Sequence, residues 1–269
     1  ILRVEKLMTT LLLVFILLIA SFNIIGSLSM LIIDKQKDIN TLSNLGASPS
    51  MLQRIFLFEG WLISLSGAVI GLIIGILIGT LIATVRVLPK YKLLPRILNG
   101  ICSFYVELFR GTPMVVQLLI FYYVLFPIMG VKMDGVQVAM MVFGLNSGAY
   151  ISEIMRSGIQ SVDIGQMEGG RSVGLSFGTT MMKIVIPQAI KNILPTLGNE
   201  FITLIKETSV VSFVGALDLY VAFNRIGSNS YEFMVPYLVM ALIYIVLVLI
   251  ISGLVKLMER SLSKSDRGR

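Results

Sequence analysis

Charged residues are spaced along this chain so that long stretches carry none. Runs 7–33, 60–85, 111–131, 135–152 and 234–255 contain no Asp, Glu, Lys or Arg. Each is long enough, or nearly so, to cross a hydrocarbon core of roughly 30 Å as a helix, which takes about 20 residues. The stretch 135–152 is at the short limit. A sixth stretch, 198–217, is apolar apart from Glu200 and the adjacent Lys206 and Glu207. An ionised side chain near the centre of a span costs about 3 kcal/mol on insertion scales, so these three stand out. The pattern predicts an all-α, polytopic transmembrane helix bundle of about six spans. The first run is too long for a cleavable signal peptide and no small-residue cleavage site follows it.

Composition supports this. Of 269 residues, 56% are hydrophobic and 14% charged, with a mean hydropathy of +0.89. A globular chain has about a quarter of its residues charged, so a water-soluble enzyme, a disordered chain and a disulfide scaffold are all excluded. The net charge of +7 is an orientation signal. Five Lys/Arg lie in 86–110, four in 153–200 and five in the tail from Lys256, whereas the loops between offer only Lys132 and Arg225. Positive-inside bias then makes 86–110 a cytoplasmic loop and places the C-terminus in the cytoplasm. The positives are scattered between spans with no binding motif, so nucleic acid is not a partner and membrane lipid is.

The segment 153–197 is the longest polar interruption. Asp163 is placed to cap a helix, with Gln166 as its capping-box partner, running to about Val173. Gly174 ends it in the left-handed conformation, and Ser176 caps a second short helix that Pro187 stops or kinks. The pattern alone leaves a docking knob and a plain amphipathic connector both open.

Glu168-Gly169-Gly170, then Gly174, then Ile184-Val185-Ile186-Pro187 resemble the EAA loop of ABC-importer permeases. Gly-Gly stands where that family has Ala-Ala, and Ile186 where it has Leu; glycine costs up to about 1 kcal/mol each in helix propensity, which predicts a softer loop. Further blocks are similar to the polar amino-acid branch, the glutamine and histidine type: Tyr105 through Pro113, Ala149 through Arg156, Gly158 through Val162, and Leu194 through Ile202 followed by Lys206-Glu207-Thr208-Ser209. The likeness covers roughly 73–260. It implies an inner-membrane subunit that pairs with a second permease subunit, as homodimer or heterodimer. It also implies an ABC ATPase dimer that binds ATP and Mg, and an extracytoplasmic amino-acid-binding protein. Glu168, Gly169, Gly170, Gly174, Ile184 and Pro187 are then the ATPase-coupling residues, in a 163–187 loop whose helix seats in the ATPase.

Residues 1 to about 72 resemble a different group. Val4-Glu5-Lys6, Phe22 through Met30, Asp34 through Ile39 and Leu45 through Pro49 are similar to the end of FtsX-like permeases, the lipoprotein-releasing transporter and MacB group. That likeness puts 34–54 in the cytoplasm, and the other puts 86–110 there. The run 60–85 is about 39 Å long as a helix and crosses only once. The two likenesses therefore conflict, which marks a join between 1–72 and 73–269 inside the second span, near Gly71 to Thr80. A mechanotransmitting or lipoprotein-export permease, or a non-functional fusion, is the alternative function. Gly67, Gly71, Gly75 and Gly79 form a small-residue stripe in this span, which predicts close helix packing.

For the substrate path, Lys206 is placed to meet a substrate carboxylate and Glu207 or Thr208 its ammonium. Gln117, Asn146 and Ser147 are polar positions within spans, suited either to lining the path or to bonding helix to helix. No Gly-x4-Gly-Lys-Ser/Thr loop occurs, histidine is absent and Cys102 is the one cysteine. The chain is therefore expected to be no enzyme, to hold no metal and to bind no cofactor itself.

Overall fold

The computed structural model describes residues 48–88, 93–216 and 218–267. The expected first span, 7–33, and most of the 34–54 loop lie outside the described residues.

Helix α1, Pro49–Val87, opens with Ser48 as its cap, whose side chain accepts from the Met51 amide at 3.3 Å, and with proline in its first turn. It lies along α4, Gly135–Gln160, and glycine governs the contact. A Cβ on Gly71 would sit 2.8 Å from Phe143 Cβ, and one on Gly75 2.8 Å from Ser147 Cβ. Gly79 meets Ile151 in the same way. The exchange is mutual, because Gly144 and Gly148 on α4 receive Ile74 and Ile78 of α1. In a membrane, where lipid is as apolar as leucine, this close backbone approach and its dispersion energy are what hold helices together. Leu118, Val138, Val142, Phe143 and Leu204 form the fully buried centre.

Between these helices run α2, Leu93–Gly111, and α3, Met114–Ile120, which continues through a π-helical turn at Phe121–Leu125 to Phe126–Ile128. The pair is bent by 108° at Thr112 and Pro113. After α4 come α5, Ile164–Ser172, and α6, Phe177–Thr180. A π-helical turn, Met181–Val185, leads into α7, Ile186–Glu207, which tightens to a 3-10 stretch at Thr208–Val214. The chain closes with α8, Leu219–Ser230, and α9, Met234–Arg267. Leu57–Val87, Gly135–Gln160 and Met234–Arg260 are each long and apolar enough to span, and the two bent pairs bring the described spans to as many as five. Leu238, Leu242, Leu249 and Leu254 on α9 point outward, as a lipid-facing surface requires.

Three expectations are corrected. The 86–110 segment is not a plain loop: Leu93, Ile97, Ile101, Phe104 and Leu108 recur at helical spacing and face outward, while Val106 and Phe109 are buried. Its positive charges masked that period. The fourth span does not end at Ser152 but runs to Gln160, because Glu153 is neutralised by Arg86 across the helix pair and by Arg156 on its own helix. The fifth begins at Phe177 rather than Gly198, so Pro187 and Pro195 lie within one long helical path.

Candidate functional site

The 163–187 segment folds as a helical hairpin. Asp163 Oδ1 accepts from the Gly165 amide at 2.7 Å. At the other end of α5 the Leu175 amide donates to Gly170 O at 3.2 Å and the Gly174 amide to Arg171 O at 3.1 Å, the paired bonds of a Schellman ending. Gly174 takes φ +88°, a left-handed conformation that favours glycine. Ser176 Oγ then accepts from the Thr179 amide at 3.2 Å and starts the second arm. Helix, glycine turn and helix therefore follow the sequence, with two differences. Gln166 does not close a capping box; its Oε1 accepts from Gln188 Nε2 at 3.1 Å and ties α5 to α7. Nor does Pro187 stop the helix. The π turn gives the Met181 carbonyl to the Ile186 amide, and proline follows in the first turn of α7, where its missing N–H is tolerated.

The hairpin has an inner and an outer face. Gly170 is buried against Thr180 and Ile184, with no room for a Cβ; Glu168 and Gly169 are exposed. Ile164, Val173 and Met182 stand out from it at 73%, 76% and 65% exposure.

A second polar cluster lies at the 108° bend. The last carbonyls of α2 have no helical partner there, and a backbone break inside a membrane protein must be satisfied from within. Gln117 Nε2 donates to Phe109 O at 2.7 Å and to Thr112 O at 2.9 Å. Asn146 Nδ2, from α4, donates to Gln117 Oε1 at 3.0 Å and to Phe109 O at 3.3 Å. Both side chains are buried in this network. Lys206, by contrast, is exposed at the end of α7, Glu207 is half-buried, and buried Thr208 donates to Ile205 O at 2.7 Å. The structure brings Gln117 and Asn146 together and joins neither to the Lys206–Thr208 group by a hydrogen bond.

Sequence reasoning passed over a third group. Arg86 of α1 pairs with Glu153 Oε1, and Arg156 Nη2 reaches Glu153 Oε2 at 2.6 Å. Arg110 lies with its guanidinium 5.3 Å from the Tyr150 ring centroid. Beside this group Ser147, expected either to line the path or to bond helix to helix, does the second: its Oγ donates to Glu200 Oε1 at 3.1 Å, joining α4 to α7. The i,i+3 spacing of Glu153 and Arg156 was the one local signal for this group. Among the described residues, no three Cys, Asp or Glu side chains converge in a way that would hold a metal ion.

Residues 71–264 match the family of the binding-protein-dependent transport system inner membrane component. The chain belongs to this family. Its relatives include the arginine transport system permease protein ArtQ of Bacillus subtilis. It is 37% identical over 223 residues, covering 83% of this chain and all of the relative. The putative glutamine transport system permease protein GlnP of Rickettsia bellii is 39% identical over 215 residues, 80% of this chain and 95% of the relative. Among solved structures, a crystal structure of an amino acid ABC transporter with histidines superposes with a TM-score of 0.72 at 38% identity, over 79% of this chain and 97% of that one. The MetNI methionine ABC transporter, at 18% identity and a TM-score of 0.66, shares the fold. The relatives are multi-pass permease subunits of transport systems, not enzymes, and the all-helical bundle is theirs.

Proposed function

We infer that this chain is the permease subunit of an ATP-binding-cassette importer for polar amino acids. The observation that carries it is a likeness of 37% to 39% spanning nearly the whole length of arginine and glutamine permeases. ATP hydrolysis belongs to a partner ATPase, and an extracytoplasmic binding protein delivers the substrate.

The hairpin is the coupling element. Ile164, Val173 and Met182 offer apolar area around exposed Glu168, which suits a groove on the ATPase. Gly169, Gly170, Gly174, Ile184 and Pro187 give it shape. Its second arm runs on as α7, so a push on the hairpin reaches Glu200 and Lys206 through one helical path. Lys206, Glu207 and Thr208 form a polar step on the substrate path, and Gln117 and Asn146 keep the α2–α3 bend in shape beside it. The hairpin and the C-terminus lie in the cytoplasm, a placement supported by the Lys/Arg distribution. Two such permease subunits face one another above the ATPase dimer, with lipid around α9.

We further propose that the front of the chain is an FtsX-like segment joined to the permease; the family match beginning at residue 71 supports a join within α1, whereas the ArtQ match, 223 of 269 residues, begins at or before residue 47 and argues for an earlier one. Continuous native coding sequence through 60–85 supports a natural fusion; a break there makes the front segment foreign to the permease.

The coupling claim is tested by cross-linking. With Cys102 replaced by Ser, a cysteine at Val173 is expected to cross-link to the ATPase, with faster cross-linking in ATP-bound complexes. No cross-link from Val173, Ile164 or Met182 contradicts the placement.

A further inference from the structure

The charged group around Arg86, Arg110 and Glu153 borders a cavity of about 450 Å³, lined also by Ser103, Glu107 and Tyr150. That volume lies in the range of small-molecule sites. Ser103, Glu107 and Arg110 share one face of α2, at spacings of four and three residues. This face is distinct from the outward apolar stripe and from the side buried on α4.

The charges here are not all engaged. Glu153 is shared by Arg86 and Arg156, so those three satisfy one another. Arg110 lies over the Tyr150 ring and, among the described residues, makes no direct ion pair. Glu107, three residues away, is likewise free of an ion pair among the described residues. The cavity thus presents one available guanidinium, one available carboxylate, a hydroxyl and an aromatic face. Glu200, fixed by Ser147, lies within electrostatic reach of Arg110. A guanidinium fork binds a carboxylate through two parallel hydrogen bonds, and an ammonium needs a carboxylate. A phosphate would leave the Glu107 carboxylate without a cation and be repelled by it. A zwitterion matches both available charges at once.

We propose that this cavity takes the head of a free α-amino acid, with Arg110 receiving the α-carboxylate and Glu107 the α-ammonium. Tyr150 forms the floor and Arg86 and Glu153 part of the wall, with Arg156 bracing Glu153 from outside the lining. The proposal rests on the amino-acid import reading and gives it a residue-level site separate from Lys206.

The test uses the purified permease–ATPase complex without the binding protein, so that selection by that protein does not enter. Binding of L-arginine and of L-glutamine is measured by equilibrium dialysis, with L-arginine methyl ester as the analogue lacking a carboxylate. Wild type is expected to bind at least one amino acid and to reject the ester. Arg110→Gln and Glu107→Gln are each expected to weaken amino-acid binding about tenfold to a hundredfold, the loss of one charge-assisted pair. Arg110→Gln is also expected to lose the discrimination against the ester. If Arg110→Gln does not fold, Glu107→Gln, at an exposed position, decides alone. Unchanged binding in the variants overturns the site while leaving the import reading standing. Uptake by wild type with no binding to the complex overturns the site as well. Neither binding nor uptake of any amino acid overturns the import reading itself. Binding that depends on Arg110 but follows phosphatidylglycerol content rather than amino acid assigns the cavity to a lipid headgroup, and overturns the proposal.

Discussion

Gly170 packs directly against Thr180, arm to arm across the hairpin, with no space for a side chain between them. The neighbouring Gly169 meets nothing. Two glycines that look alike in sequence therefore have opposite roles. Gly169→Ala is expected to stabilise α5 by about 0.5–1 kcal/mol through helix propensity. Gly170→Ala forces buried, β-branched Thr180 aside and is expected to destabilise the hairpin by about 1–3 kcal/mol. Limited proteolysis of the hairpin in the two variants checks this: slower cleavage for the first, faster for the second. Equal rates would contradict the packing.

Gln117 and Asn146 satisfy the carbonyls left open where α2 meets α3. Asn146→Ala leaves Gln117 Oε1 without its donor and Gln117→Ala leaves Thr112 O without its donor, and each is expected to lower stability by about 1–3 kcal/mol. Because both share Phe109 O and bond one another, the double variant is expected to lose less than the sum. Thermal unfolding in detergent across the four-member cycle measures this, and strict additivity would show that they act separately.

Arg86 and Glu153 tie α1 to α4 from part-buried positions. Glu153→Gln leaves two guanidiniums facing a neutral amide, with an expected loss of about 1–3 kcal/mol. Arg86→Gln leaves Glu153 with Arg156 and is expected to cost less. The order of the two melting temperatures is the check.

The glycine stripe on α1 makes a further prediction. Gly75→Val drives a branched side chain into Ser147 and the Gly148 backbone, so α1 and α4 must separate. Gly100→Ala on α2, where nothing lies within 4 Å, is the matched control. Yield of folded protein by gel filtration is expected to fall for Gly75→Val alone.

Much of this was legible from residue pattern. Asp163, Gly174 and Ser176 announced the hairpin because caps and left-handed glycines are local devices. The glycine stripe on α1 announced its packing but not its partner, since Ile74 and Ile78 entering Gly144 and Gly148 is a relation across some 70 residues. Helix α2 was lost among its positive charges, although its apolar positions recur at 93, 97, 101, 104 and 108. Pro187 was over-read: a π turn absorbs it, and no spacing rule announces that turn. The Arg110–Tyr150 pair had no signature, because neither residue is unusual alone and only the fold brings them together.

The most direct measurement is uptake of radiolabelled L-arginine and L-glutamine into proteoliposomes. These would hold this chain, its ATPase and its binding protein, with ATP on the ATPase side. The account predicts ATP-dependent accumulation of at least one of the two, abolished when the ATPase is inactivated and when hairpin contact is disrupted by Glu168→Lys. ATP hydrolysis with no accumulation of either amino acid would contradict it.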